Sequence, residues 1–227
     1  MNILAIDTTT KKANTAIAIN NKIKINSIDN EITHSEKLLP LIDASLKECN
    51  LNIKDIDILA CTTGPGSFTG IRIGLATVKA LSKVTGAKIF CIDSLELLAR
   101  SVNTQGYKLI VSLINAKNTR AYTGMYFAHD NTLESAIIPE NKYLCDILTD
   151  IRNVCSSNNI DAKDVLLIAD NQNLTQCISD KYDFQISALN MNILVNLASS
   201  SSNYTDYLNL DATYVRSSEA ERTKYGE

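Results

Sequence analysis

The chain has 227 residues, 45% of them hydrophobic, and its 22 basic and 25 acidic side chains give a formal net charge of −3 with a pI near 5.5. That length can bury a sizeable core as one large or two small domains, and the mild acidity gives no electrostatic reason for unaided nucleic-acid binding, which draws on clustered Lys and Arg. The six cysteines lie far apart with no CxxC pair, so they are expected as reduced thiols of a cytoplasmic protein.

The opening segment MNILAIDTTT carries a four-residue apolar run interrupted at Asp7, with no basic flank. It reads as a buried strand from Asn2 to Asp7 and not as a signal peptide, and no stretch reads as a transmembrane span. ANTAIAIN and KIKINSI alternate as two further strands, with Asn20 and Asn21 at the hairpin turn. A helix is expected from near His34, where Thr33 and Glu36 have capping-box spacing and Leu39, Ile42, Leu46 and Cys49 recur at helical intervals. DIDILACTT then reads as a fourth strand, Thr69 to Val84 as a second helix, KIFCI as a fifth strand, and SLELLARSV as a helix with Ser94 as its cap. Three strands followed by helix, strand, helix, strand and helix is the order of an actin-like, ribonuclease-H-like α/β lobe.

A smaller, diverged second lobe is expected from Tyr107, dividing the chain into 1–106 and 107–227. YKLIVSLINA, RAYTGMYFAH and SAIIP read as its first three strands, CDILTDIRNVCSS as a helix, DVLLIA as a strand and MNILVNLASSS as a late helix. The run from Ser199 to Tyr204 reads as a flexible loop.

Four of the eight glycines fall within eleven residues of TTGPGSFTGIRIGLATVKAL. This is not a P-loop, because Thr69 and Gly70 stand where Gly-Lys is needed. It is not a dinucleotide fingerprint either, because Gly70 comes one residue late. Pro65 removes a further N–H. An anion at the helix start remains open through Gly64, Gly66, Ser67 and Thr69. The alternative is packing: Gly70 and Gly74 lie one turn apart and Ala76, Thr77 and Ala80 continue a small-residue face, while Leu75, Val78 and Leu81 serve the core. The preceding helix is also two-sided, with Leu39, Ile42 and Leu46 on one face, Leu38, Leu41 and Ser45 on another, and a bend expected at Pro40. Such helices either meet a partner or are buried within the chain.

ILAIDTTT, HSEKLLPLI, TTGPGSFTGIRIGLATVKAL and SLELLA, in this order, resemble the TsaB (YeaZ) family of the tRNA threonylcarbamoyladenosine-modification machinery. The resemblance covers about the first 100 residues. Beyond them it thins: INAKNTRAY has Asn115, Lys117 and Arg120 at the family's charged places, and ATYVR has Ala212 for a proline. The resemblance implies a non-catalytic, cofactor-free scaffold, glycoprotease-like by fold only. It would pair with a TsaD-like catalytic subunit, act with a TsaE-like ATPase, and meet tRNA only through that complex. The interface it implies runs through His34, Leu38, Leu41, Ser45, Gly70, Ile73, Gly74 and Thr77, with a TsaD-like partner or a second copy.

The residues themselves agree with a chain that holds no catalytic metal. Only His34 and His129 are present, in different lobes, without HxxxH spacing, and no Ser, Cys or Thr sits in a nucleophile elbow. A rival reading is an actin-like kinase or ATPase using Asp7, Thr8, Thr9 and Thr10. DTTT lacks the glycine that lets such a loop approach phosphates, so Asp7 is expected as a strand-end residue bonded to local backbone. A homodimeric structural protein is the third reading.

Overall fold

Asn2–Asp7 (β1) is apolar at every inner position and becomes the central strand of a five-stranded sheet. The computed structural model describes residues 1–20, 22–29, 34–116, 119–129, 132–171, 174 and 182–215, without the side chains of His34 and Ser35. Asn21, Thr33, Lys117, Cys177, Arg216 and the charged tail from Ser218 lie outside the described residues. β1 pairs antiparallel with β2 (Lys12–Ile19), which pairs antiparallel with β3 (Lys22–Asp29); Asn20 takes a left-handed φ of 46° at the turn between them. β4 (Ile58–Thr62) lies parallel to β1, and β5 (Lys88–Ile92) parallel to β4, giving the order β3-β2-β1-β4-β5.

Helix α1 (His34–Glu48) follows β3, α2 (Phe68–Thr85) links β4 to β5, and α3 (Ser94–Arg100) follows β5. α2 starts on the Ser67 side chain, which accepts from the Gly70 N–H, and stops at Gly86 with φ 75°. Pro40 lies inside α1, and the helix continues through it. The alternation of β1, β2, β4 and β5 sends Leu4, Ile6, Ile17, Leu59, Cys61 and Ile89 to the face covered by Leu38, Ile42 and Leu46 of α1 and Ile71, Leu75 and Val78 of α2. The other face carries Ala5, Ala16, Ala18 and Ala60, all buried. Against it lies α5 (Met191–Ser200), the expected late helix, packed on β1, β2, β4 and β5.

The expected division at 106/107 is therefore corrected. One compact unit comprises Met1–Ser94 with Asn190–Thr213, and the other Leu95–Leu189 with the chain from Tyr214. The physical reason is that the alanine face of the first sheet requires a helix, and the chain supplies it only after 190 residues. Ser199 to Tyr204 is not a loose loop. It ends α5, with the Tyr204 hydroxyl donating to the Ala198 carbonyl at 3.1 Å, and opens a strap. Thr205 exchanges both backbone bonds with Ile89 at 3.2 and 2.8 Å, Leu210 is fully buried among α1 and α2 side chains, and the Thr213 N–H donates to the Thr63 carbonyl at 2.9 Å. Leu210→Ala should lower stability by about 2–3 kcal/mol in urea unfolding, the usual cost of a buried leucine in a site that partly collapses.

The second unit repeats the plan. β6 (Leu109–Asn115), β7 (Arg120–His129) and β8 (Thr132–Tyr143) are antiparallel neighbours, and β9 (Val165–Ala169) and β10 (Asp183–Ile186) add in parallel, in the order β10-β9-β6-β7-β8. Helix α4 (Leu144–Asn158) covers one face through Leu144, Ile147 and Ile151. The strand expected at SAIIP extends to twelve residues, and β10 is additional. Each unit thus has the actin-like, ribonuclease-H-like strand order.

Candidate functional site

The parallel strands β1 and β4 end side by side, at Asp7 and Thr62. Ligands of open α/β sheets gather at such carboxyl ends. Asp7 is 0% exposed. Its Oδ1 accepts from the Thr9 N–H at 3.1 Å, the Thr9 hydroxyl at 2.7 Å and the Thr62 hydroxyl at 2.7 Å, while Oδ2 accepts from Asn14 Nδ2 at 3.3 Å. The Ser94 hydroxyl continues the network to Thr9 Oγ1 at 3.3 Å, and Asn14 Oδ1 accepts from Ser27 at 2.7 Å. Asp7 is the expected bonded strand-end residue, but only the Thr9 N–H is backbone: the other donors are side chains of Thr9 just after β1, of Asn14 in β2 and of Thr62 in β4. Beside it, burial pushes the Cys61 thiol up, with smaller contributions from Cys91 and from the charge of Asp7.

The glycine stretch wraps this cluster. A Cβ on Gly66 would collide with the Thr9 carbonyl oxygen, one on Gly70 with the Thr8 carbonyl oxygen, and one on Gly74 with the Thr8 hydroxyl. The close approach is held by the Thr8 hydroxyl donating to the Gly70 carbonyl at 2.7 Å and the Ser67 N–H donating to the Thr9 carbonyl at 2.7 Å. Gly64, at φ 101°, accepts the Ser94 N–H at 2.7 Å.

These contacts correct two expectations. Gly70 and Gly74 face inward onto Thr8, the residue after β1, and are buried, so they offer no surface to a partner. Leu38, Leu41 and Ser45 are buried too. The Ser45 hydroxyl donates to the Leu41 carbonyl at 2.7 Å and meets Thr15 at 2.9 Å and Asn26 at 2.9 Å. Of the expected interface set, Ile73 and Thr77 are half-buried, and the His34 side chain lies outside the described residues. Leu39, expected in the core, is 57% exposed because the inward stripe of α1 is Leu38, Ile42 and Leu46.

The anion reading of the loop also narrows. Gly64 is buried, Gly66 lies against Thr9, and Ser67 spends its N–H on Thr9 and its hydroxyl on Gly70, leaving Thr69 exposed on the first turn. His129 sits on the surface 3.9 Å from Glu134. Among the described residues no three His, Cys, Asp or Glu side chains gather as a metal would require, and no helix is long and apolar enough to cross a membrane.

Sequence reading missed the partners of Asp7. Thr62 could have been found as the last residue of an apolar strand parallel to β1, whereas Asn14 becomes visible only from the hairpin register Asp7↔Asn14.

Residues 28–219 match the family described as TsaD, tRNA N6-adenosine threonylcarbamoyltransferase. The chain is 30% identical over 150 residues to the tRNA threonylcarbamoyladenosine biosynthesis protein TsaB of Bacillus subtilis, covering 65% of each chain. It is 35% identical over 132 residues to TsaB of Buchnera aphidicola, covering 58% of this chain and 62% of that one. The aligned part thus spans somewhat less than two thirds of these relatives' length. A crystal structure from Pseudomonas aeruginosa, of a protein with similarity to the peptidase YeaZ, superimposes with a TM-score of 0.75 at 18% identity over 95% of this chain and 99% of that one, a likeness of fold.

Proposed function

The chain belongs to the TsaD family of tRNA N6-adenosine threonylcarbamoyltransferases, on its TsaB (YeaZ) side, and from that premise we propose that it is a non-catalytic scaffold subunit in tRNA threonylcarbamoyladenosine biosynthesis. In this reading it binds and activates a TsaD-like catalytic chain that transfers the threonylcarbamoyl group to the adenosine beside the anticodon. The observation that carries it is the state of Asp7. At the sheet end where a catalytic lobe would reach its ligand, both carboxylate oxygens are buried and engaged by Thr9, Thr62 and Asn14. A group so enclosed serves the fold, because releasing it to a substrate would leave four donors unsatisfied.

The partner face we assign is the outer surface of α1 and α2, in place of the inward glycines. Leu39 is 57% and Val84 74% exposed, and Arg72, Ala76, Ala80 and Lys83 are exposed between them along the helices. Small and apolar exposed residues on two helices of one sheet face suit helix–helix association. A TsaE-like ATPase would join the assembled pair, and with a net charge of −3 this chain would meet tRNA only through it, in the cytoplasm.

The test is sedimentation of the chain with a TsaD-like subunit. The wild type should co-sediment. The double variant Leu39→Asp, Ala76→Arg should keep its melting temperature, since surface changes alter stability by about 0.5 kcal/mol or less, and bind at least about tenfold more weakly. A wild type that ignores the catalytic chain overturns the scaffold. Self-association alone would favour a homodimeric structural protein, and unchanged binding of the variant would refute this face.

A further inference from the structure

Cys61 and Cys91 stand opposite each other in the parallel register of β4 and β5. Neighbouring strands lie about 4.8 Å apart, which places in-register Cα atoms inside the disulfide window of about 4.4–6.8 Å. The two side chains share a face, because Leu59 and Cys61 of β4 and Ile89, two residues before Cys91, all point to the α1–α2 side. Both thiols are free, Cys61 buried and Cys91 exposed.

We propose that this pair is a reversible thiol switch, with Cys91 the site attacked by a hydroperoxide and Cys61 the resolving thiol. The Cys91 thiolate attacks one peroxide oxygen and the O–O bond breaks. The departing oxygen takes a proton and leaves as water from hydrogen peroxide, or as the alcohol from an organic hydroperoxide, with Cys91 oxidised to a sulfenic acid and the peroxide reduced. Cys61 then loses its proton and attacks the Cys91 sulfur; the S–O bond breaks, water leaves, and the S–S bond forms. The order follows from access, since solvent reaches Cys91 and not Cys61. Strands hold their Cβ atoms somewhat farther apart than a relaxed disulfide does, so the bond belongs to the strained, readily reduced class. Burial raises both thiols above their ordinary range, so closure should be slow at neutral pH and accelerate about tenfold per pH unit as thiolate forms. The bond would draw on Thr62, which holds Asp7, and on Ile92, whose carbonyl accepts the Thr63 N–H at 3.0 Å.

Tryptic cleavage separates the two cysteines into peptides 55–72 and 89–100. The full chain treated with hydrogen peroxide, alkylated and digested without reductant should yield these peptides joined, lighter by the two lost hydrogens. Dithiothreitol should restore the thiols, and Cys91→Ser, folded by circular dichroism, should give no such product. Recovery of Cys91 as a sulfinic acid or as an interchain dimer, with Cys61 alkylated only after unfolding, would overturn the proposal.

Discussion

Gly70→Ala should cost about 3–4 kcal/mol, most of the stability of a chain at the low end of the usual range of about 5–15 kcal/mol. The added methyl would meet the carbonyl oxygen of Thr8, which is backbone and cannot rotate aside. Thr8 directly follows β1, whose neighbours β2 and β4 fix it on both sides, so relief must come from lifting the α2 N-terminus. That movement breaks the Thr8 hydroxyl bond to the Gly70 carbonyl and loosens the Ser67 bond to Thr9. Gly74→Leu should unfold the chain, because its side chain would have to displace the Thr8 hydroxyl. Ala80→Leu, on the exposed side of the same helix, is the control and should stay within about 0.5 kcal/mol of wild type. Urea unfolding of the three variants decides it; a Gly70→Ala chain with a wild-type midpoint would mean that the glycines serve another purpose.

Asp7→Ala should be nearly as damaging, at about 3 kcal/mol. The substitution strips the acceptor from two hydroxyls, one N–H and one amide at a buried carboxylate; a bond to a charged group contributes about 1.5–3 kcal/mol, and the net loss stays near that upper value because removing the charge also removes the cost of burying it. Asp7→Asn fills the same volume, yet its NH₂ must face either the hydroxyls or the Asn14 amide, so it should recover only part of the loss. Neither variant touches the outer surface of α1 and α2. Whatever fraction remains folded should therefore bind a TsaD-like subunit with unchanged affinity, which titration calorimetry below the melting transition measures. Weakened binding at an unchanged melting temperature would place Asp7 in the interface instead.

The first unit was legible from the sequence because its signals are local. Apolar runs ending at Asp7 and Thr62, the alternation of β2, and the helical spacing of Leu39, Ile42 and Leu46 are each written within one element, and together they give the strand and helix order, although not which leucine of α1 turns inward. The four ordered motifs carried the TsaB resemblance for the same reason. That Asp7 is a bonded strand-end residue also followed, since aspartate at the end of an apolar strand finds the backbone N–H two residues on, but its hydroxyl and amide donors did not.

Direction and long-range pairing lie beyond local pattern. A row of small residues at helical spacing states that something comes close to α2, and only the tertiary structure shows that it is Thr8 and Thr9, directly after β1, on the inner side. Leu39 and Leu38 are equally apolar neighbours on α1, yet one is exposed and the other buried because the sheet meets the helix along a single stripe. The division of the chain was misplaced on similar grounds: α5 repeats the pattern of any buried helix, and what assigns it to the first unit is an alanine-lined sheet face formed by residues more than a hundred positions earlier. Composition and periodicity determined which elements form and which family they resemble. Which surface each element spends on its own core, and which it leaves exposed, was decided by tertiary contacts, because a helix face has no preferred neighbour until the rest of the chain supplies one.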